Sequence, residues 1–253
     1  MIEWFSGQAD LVTVSTEYLA SAYRHIAKQV CVIANCLSVR LWNETLVNPK
    51  EMDNGRLRIG IVGSKNHDQD FALAAGLIDE ALLAHPHFEL VFFGAVPACI
   101  KPNDRIGNMP ADYMYERHPS RLASLRLDIA LVPLTPSHFN RAKSNIKFLE
   151  FGFFGIPALY ADLEPYQGSV EHGGAGFLCG PKPAKCRDAL FALIEDADLR
   201  QRVGQTARGA VLAYWMPAGN ADRWTDVYRQ ATEFFAARSK TAAIAAKYQG
   251  KRR

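Results

Sequence analysis

"LRIGIVGSKNHDQDFALAAGLIDEALLAHPHFELVFFG", residues 57–94, decides the fold. Its two ends, 57–63 and 88–94, are near-continuous apolar runs rich in Ile, Val and Phe, and its centre, 68–85, repeats apolar residues at helical spacing before stopping at His85-Pro86. Strand, helix and strand in that order form a βαβ unit. Strands without polar alternation are those covered on both faces, as in a parallel sheet.

The same grammar continues downstream. "LDIALVPL" (127–134), "IPALYAD" (156–162) and, more weakly, "GAGFLCG" (174–180) read as further strands. Helices are expected at 120–126, 144–155, 183–196, 197–214 and 218–238, the second ending at Gly155 with Pro157 beyond it. The fold class is therefore α/β, a doubly wound, Rossmann-like parallel sheet. Upstream, "ADLVTVS" (9–15) and "KQVCVIAN" (28–35) form a small separate β-α-β piece, and the polar stretch 43–56 reads as a linker. The expected organisation is an N-terminal piece at 1–42, a linker at 43–56, the sheet domain at 57–214, and a C-terminal helix with a basic tail at 215–253.

Composition narrows the class. The chain has 253 residues, 49% of them hydrophobic, enough for one large core or two modest ones. A formal net charge of +3 permits anionic ligands and gives no reason to expect nucleic acid. The five cysteines show no Cys-x-x-Cys pair, so free thiols are expected rather than a disulfide framework or thiolate zinc site. No basic-then-apolar leader opens the sequence, and the longest apolar stretch, "FELVFFGAVPACI" (88–100), is too short to span a bilayer. A cytoplasmic globular protein is expected. The alanine-rich tail, 238–253, reads as a solvated helix end or as a weak attachment to an anionic membrane surface.

Two stretches carry candidate chemistry. In "NRAKSNIKFLEFGFFGIPALYAD" (140–162), Arg141, Lys143 and Lys147 surround a helix start for which Ser144 is the expected N-cap. Cations there oppose the macrodipole by about 0.3 to 1 kcal/mol each, a cost that makes sense if a diphosphate is the partner. Glu150 has two uses open to it: pairing with Lys147 or accepting hydrogen bonds from ribose hydroxyls. In "VGSKNHDQDF" (62–71), Gly63 allows close backbone approach, while Ser64, Lys65 and Asn66 are placed to contact phosphate and His67 faces the same crevice. Neither G-x-G-x-x-G nor a P-loop is present. Asp68 and Asp70 read as a helix cap and a first-turn acid, or as a divalent-metal pair.

From 9 to 214 the chain resembles the C-terminal half of a retaining GT-B glycosyltransferase of the glycosyl transferases group 1 family. "RIGIVGSKNHDQDF" resembles that family's first C-domain strand and loop; "LDIALVPL", "FNRAKSNIKFLEFGFFGIPALYAD" and "VEHGGAGFLC" resemble its donor-nucleotide segment. The resemblance implies transfer of a hexosyl group from a nucleotide-diphosphate sugar, in glycan or cell-surface polysaccharide synthesis, with no cofactor and no essential metal. It places the diphosphate at the cationic helix start and the ribose on Glu150. The family's E-x7-E pattern would put a second acid at position 142, where this chain has Ala142; Asn140, Lys143 and His67 are the sugar-proximal candidates left. The family's acceptor side lies on an N-terminal domain, of which 1–42 resembles only the end, so a separate or missing acceptor domain is the implied partner. No catalytic residue is assigned. Two other readings stay open at this stage, a metal-dependent GT-A-like transferase on Asp68 and Asp70, and a non-catalytic nucleotide- or partner-binding module.

Overall fold

In the computed structural model, the described residues are 1–46, 55–63, 68–112, 114–170, 174–180, 182–216 and 220–249, with backbone only for 183 and 238–249. In chain order the elements begin with α1 (Ile2–Gln8), β1 (Val12–Val14), α2 (Glu17–Tyr23), β2 (Val30–Val32), β3 (Leu57–Gly63), α3 (Asp68–Ala84), β4 (Phe88–Gly94) and β5 (Ile106–Met109). They continue with α4 (His118–Ser124), β6 (Ile129–Val132), α5 (His138–Arg141), α6 (Ile146–Phe153), β7 (Ala158–Ala161) and α7 (Glu164–Gln167). The last are β8 (Phe177–Cys179), α8 (Pro183–Glu195), α9 (Ala197–Tyr214) and α10 (Ala221–Gln249).

Two compact units result, Met1–Asn35 with Pro217–Arg253, and Cys36–Met216. In the smaller, β1 and β2 pair in parallel, with Val12 opposite Val30, and Thr16 caps the connecting α2 by accepting from Leu19 N at 3.1 Å. Within the same unit α10 and the residue before it are tied to the residues flanking β2: Gln29 Nε2 donates to Gln230 Oε1 at 3.2 Å, and Asn220 Nδ2 to Ala34 O at 3.3 Å.

The larger unit is a six-stranded sheet in the order β5-β4-β3-β6-β7-β8, every pair parallel. The chain enters at the centre, winds outward to β5, then returns to β6 on the other side of β3. That reversal makes the β3/β6 gap the topological switch point. Successive residues feed opposite faces. Phe92 packs with Phe71, Ile78 and Leu193 under α3 and α8, while Phe93 packs with Leu122, Phe148 and Phe151 under α4 and α6.

The α6–α9 contact shows how close this packing is. Gly155 ends α6 at φ +66°, and a Cβ on Gly204 of α9 would lie 2.0 Å from Gly155 O. Backbone touches backbone there, and only glycine on α9 permits it.

Several expectations shift. The edge strand β5 was not expected from the sequence, because Gly107 and Asn108 are exposed and carry no apolar pattern. The α6 helix begins at Ile146, so Ser144 is not its N-cap; Asn145 holds that position without capping it, its Nδ2 donating instead to Ser169 Oγ at 2.8 Å. The two compact units divide at 35/36 and 216/217. Leu37 and Trp42 explain the first, being buried in the sheet unit's core, with the Trp42 ring 5.4 Å from that of Phe153. Of the expected linker, 47–54 lies outside the described residues. No disulfide joins the five cysteines. Among the described residues no helix is long and apolar enough to cross a membrane.

Gly204→Ala should lower the unfolding free energy by roughly 1 to 3 kcal/mol, measured by urea denaturation. The contrasting substitution is Gly209→Ala on the same helix, where a Cβ meets no atom within 4 Å; it should stabilise by roughly 0.5 to 1 kcal/mol.

Candidate functional site

The candidate site lies where the β3–β6 ladder gives out. That ladder has three residue pairs, Ile59–Ile129 to Ile61–Leu131, against seven between β3 and β4. Beyond Ile61 the two strands run on to their carboxyl ends without pairing to each other, and side chains link α3 to the segment that follows β6.

Asp70, in the first turn of α3, supplies the link. It is 4% exposed, and its Oδ1 accepts from Thr135 N and Oγ1, both at 2.7 Å, and from Asn140 Nδ2 at 2.8 Å. Asn140 Nδ2 also donates to Thr135 O at 2.9 Å. A buried carboxylate is tolerated when donors of this kind satisfy it. The aspartate expected as a first-turn acid or a metal ligand is thus a clasp between α3 and the β6–α5 loop. Asn140, a sugar-proximal candidate, is buried in that clasp. Asp68 is exposed. Among the described residues no group of three or more His, Cys, Asp or Glu is placed to hold a metal ion.

The three cations have different surroundings. Arg141, at the end of α5, pairs with Glu164 of α7. Lys147, in the first turn of α6, places Nζ 2.6 Å from Glu150 Oε2, so the sequence's lysine–glutamate option is the one formed. Lys143 has Nζ 4.0 Å from Asp70 Oδ2 and 5.1 Å from the centre of the Phe139 ring. Burial pulls its pKa below the ordinary value; Asp70 opposes that shift and Lys147 adds to it.

Glu150 is the other buried acid of the site, 6% exposed. Its second oxygen, Oε1, lies 3.1 Å from His118 Nε2, which must carry the proton because a carboxylate only accepts. The His118 ring stacks on Phe93 at 5.6 Å and 11°. Burial resists ionisation of Glu150, but Lys147 and His118 together outweigh it and hold the pKa below the ordinary value.

Phe148 N and Leu149 N turn back to Asn145 O at 2.8 and 3.2 Å, whereas the N–H groups of Ile146 and Lys147 have no acceptor among the described residues. Unpaired first-turn amides of this kind bind anions. Gly63 ends β3 in register with Gly94 of β4, at the same carboxyl edge. Ser64, Lys65, Asn66 and His67 lie outside the described residues. Sequence reasoning missed Glu164 and His118, which are 23 and 32 residues from their partners. The one local signal was Glu164 preceding Pro165, a helix start with an acidic first turn.

No protein-family model matches the chain, and no curated protein matches it. Solved structures do match. A sucrose-phosphate synthase from Thermosynechococcus elongatus superposes with a TM-score of 0.64 at 16% identity, over 93% of this chain and 61% of that one. HepE of Anabaena, solved with UDP and glucose, gives 0.66 at 15%, over 87% and 63%. The C-terminal domain of the glycosyl transferase group 1 family protein LpcC from Francisella tularensis gives 0.51 at 16%, over 71% of this chain and 98% of that domain. The neighbours are GT-B glycosyltransferases, and this chain has the fold of their C-terminal half. It spans less than two thirds of the length of the first two.

The Glu150 shift has a pH signature. A carboxylate with a depressed folded pKa binds fewer protons folded than unfolded, so its contribution is present above the ordinary value of 4.5 and lost as the pH falls below it. The stability advantage of the wild type over Glu150→Gln, from urea titrations, should be largest near neutral pH and shrink below pH 4.5. A pH-independent difference would contradict the assignment.

Proposed function

We propose that this chain is the donor-binding half of a glycosyltransferase that uses a nucleotide-diphosphate sugar. The observation that carries the reading is the α6 start at the switch point, with two amides that have no acceptor among the described residues and with Lys143 and Lys147 within four residues of one another. Its support from comparison is a shared fold with glycosyltransferases, one of them solved with UDP and glucose.

The diphosphate is the leaving group in such a transfer, and its charge grows as the glycosidic bond breaks. Helix amides and ammonium groups already in place stabilise that charge without reorganising at the moment of reaction. Glu150, fixed by Lys147 and His118, is assigned to the ribose hydroxyls. Asn140, buried in the clasp, contributes by holding the loop. The diphosphate charge is met by these groups and by Gly63, Ser64 and Lys65, with no essential metal. Acceptor binding is assigned to another domain, on this or a second polypeptide. The setting we infer is the cytoplasm, supported by five unpaired thiols; the product class, a glycan or cell-surface polysaccharide, rests on the family resemblance.

Calorimetry with UDP, GDP, ADP and CMP should find one preferred nucleoside diphosphate, bound equally well with and without EDTA. It should bind at least about a hundredfold more tightly than its own nucleoside, since each charge-assisted hydrogen bond contributes roughly 1.5 to 3 kcal/mol. Binding of none of them, or binding that needs added manganese, would refute the reading.

A further inference from the structure

The three cations around the α6 start are not equivalent. Lys147 already has a carboxylate oxygen at 2.6 Å, and Arg141 is in direct contact with Glu164. Each of those charges is neutralised by a neighbour that a ligand would have to displace. For Lys147 the displacement would also strip Glu150, a buried carboxylate, of its closest counter-charge.

Lys143 differs. Among the described residues its nearest carboxylate oxygen, Asp70 Oδ2, is 4.0 Å away, beyond hydrogen-bond distance. Asp70 does not depend on it, because three donors from Thr135 and Asn140 already occupy Oδ1. The ammonium is half-buried over the Phe139 ring, with a side chain 25% exposed, so it has lost water and remains reachable. Burial accordingly lowers its pKa, against the pull of Asp70 and with the push of Lys147. An arriving anion would restore the solvation that Lys143 lacks without leaving any buried acid unpaired.

We infer that Lys143 is the principal anion contact of this site, taking a phosphoryl group of the ligand into the crevice between β3 and β6, while Arg141 and Lys147 serve mainly to hold Glu164 and Glu150. This rests on the donor-site reading above and assigns its main charge contact. Position 143 is singled out by the surrounding carboxylates, which sequence spacing does not show.

The test uses two probes on the full chain, inorganic pyrophosphate and the tightest-binding nucleoside diphosphate, titrated by calorimetry. Lys143→Met should weaken both by roughly tenfold to a hundredfold, and Lys143→Arg should recover most of the loss. Lys147→Met and Arg141→Met should each weaken the probes less than Lys143→Met does. Lys101→Met, on an exposed lysine paired with Asp79 outside the site, should match the wild type. Thermal melts of each variant separate lost binding from lost folding. If the wild type binds and Lys143→Met binds equally well, or if Lys147→Met shows the largest loss, the assignment of Lys143 is overturned and the donor reading stands. If the wild type binds neither probe, the donor reading itself falls.

Discussion

Asp70 is the interaction on which the site depends. Backbone pairing between β3 and β6 stops after three residues, so beyond that point no ladder between these two strands ties α3 to the segment that follows β6. The buried carboxylate takes over, gathering a backbone amide, a hydroxyl and a side-chain amide from the β6–α5 loop onto one oxygen. Such a charge is costly to bury and costly to strip of its donors, which makes the arrangement close to all-or-none. Because Asn140 belongs to α5, the clasp also sets where the next residues, Arg141 to Lys147, leave the fold. A crevice is thus opened by the ladder's early end and given a defined rim by one aspartate.

Beneath the rim, α6 is held from behind. Phe148, Leu149 and Phe151 are fully buried against the sheet and α9, and the glycine contact between Gly155 and Gly204 lets the two helix segments meet at backbone distance. A helix seated this firmly presents its first turn in one orientation, and the two amides there without an acceptor among the described residues point at one place. The charges around that turn are arranged in pairs, Lys147 with Glu150 and Arg141 with Glu164. Paired charges stay ordered without a ligand; a cation held at a longer distance, such as Lys143, keeps attraction to spare.

The sequence made the centre of the fold legible and left its margins dark. Strands β3 and β4 could be read to the residue because both faces are covered and, apart from the Arg58–Glu89 ion pair and the glycines, each position takes an apolar side chain. At the edge, Ile106-Gly-Asn-Met109 meets no such demand and has no pattern to read. At the site, the cations and Glu150 stood out by their crowding near a helix start, as did the Lys147–Glu150 spacing. What did not show was which acid answers which base. Glu164 and His118 reach their partners through tertiary packing, and a pattern with a helical or strand period carries no information at those separations. The Ser144 cap failed for a related reason, since Asn145 is drawn away from the helix end by Ser169, a partner 24 residues on.

The central claim is that a nucleoside diphosphate sits at the α6 start beside the Asp70 clasp. Amide chemical-shift mapping during titration with the preferred nucleoside diphosphate tests this most directly. The account predicts the largest shifts at Thr135 and from Lys143 to Phe148, with little change at β5 or in the unit containing β1 and β2. Shifts concentrated in that other unit, or absent from the α6 start, would contradict it.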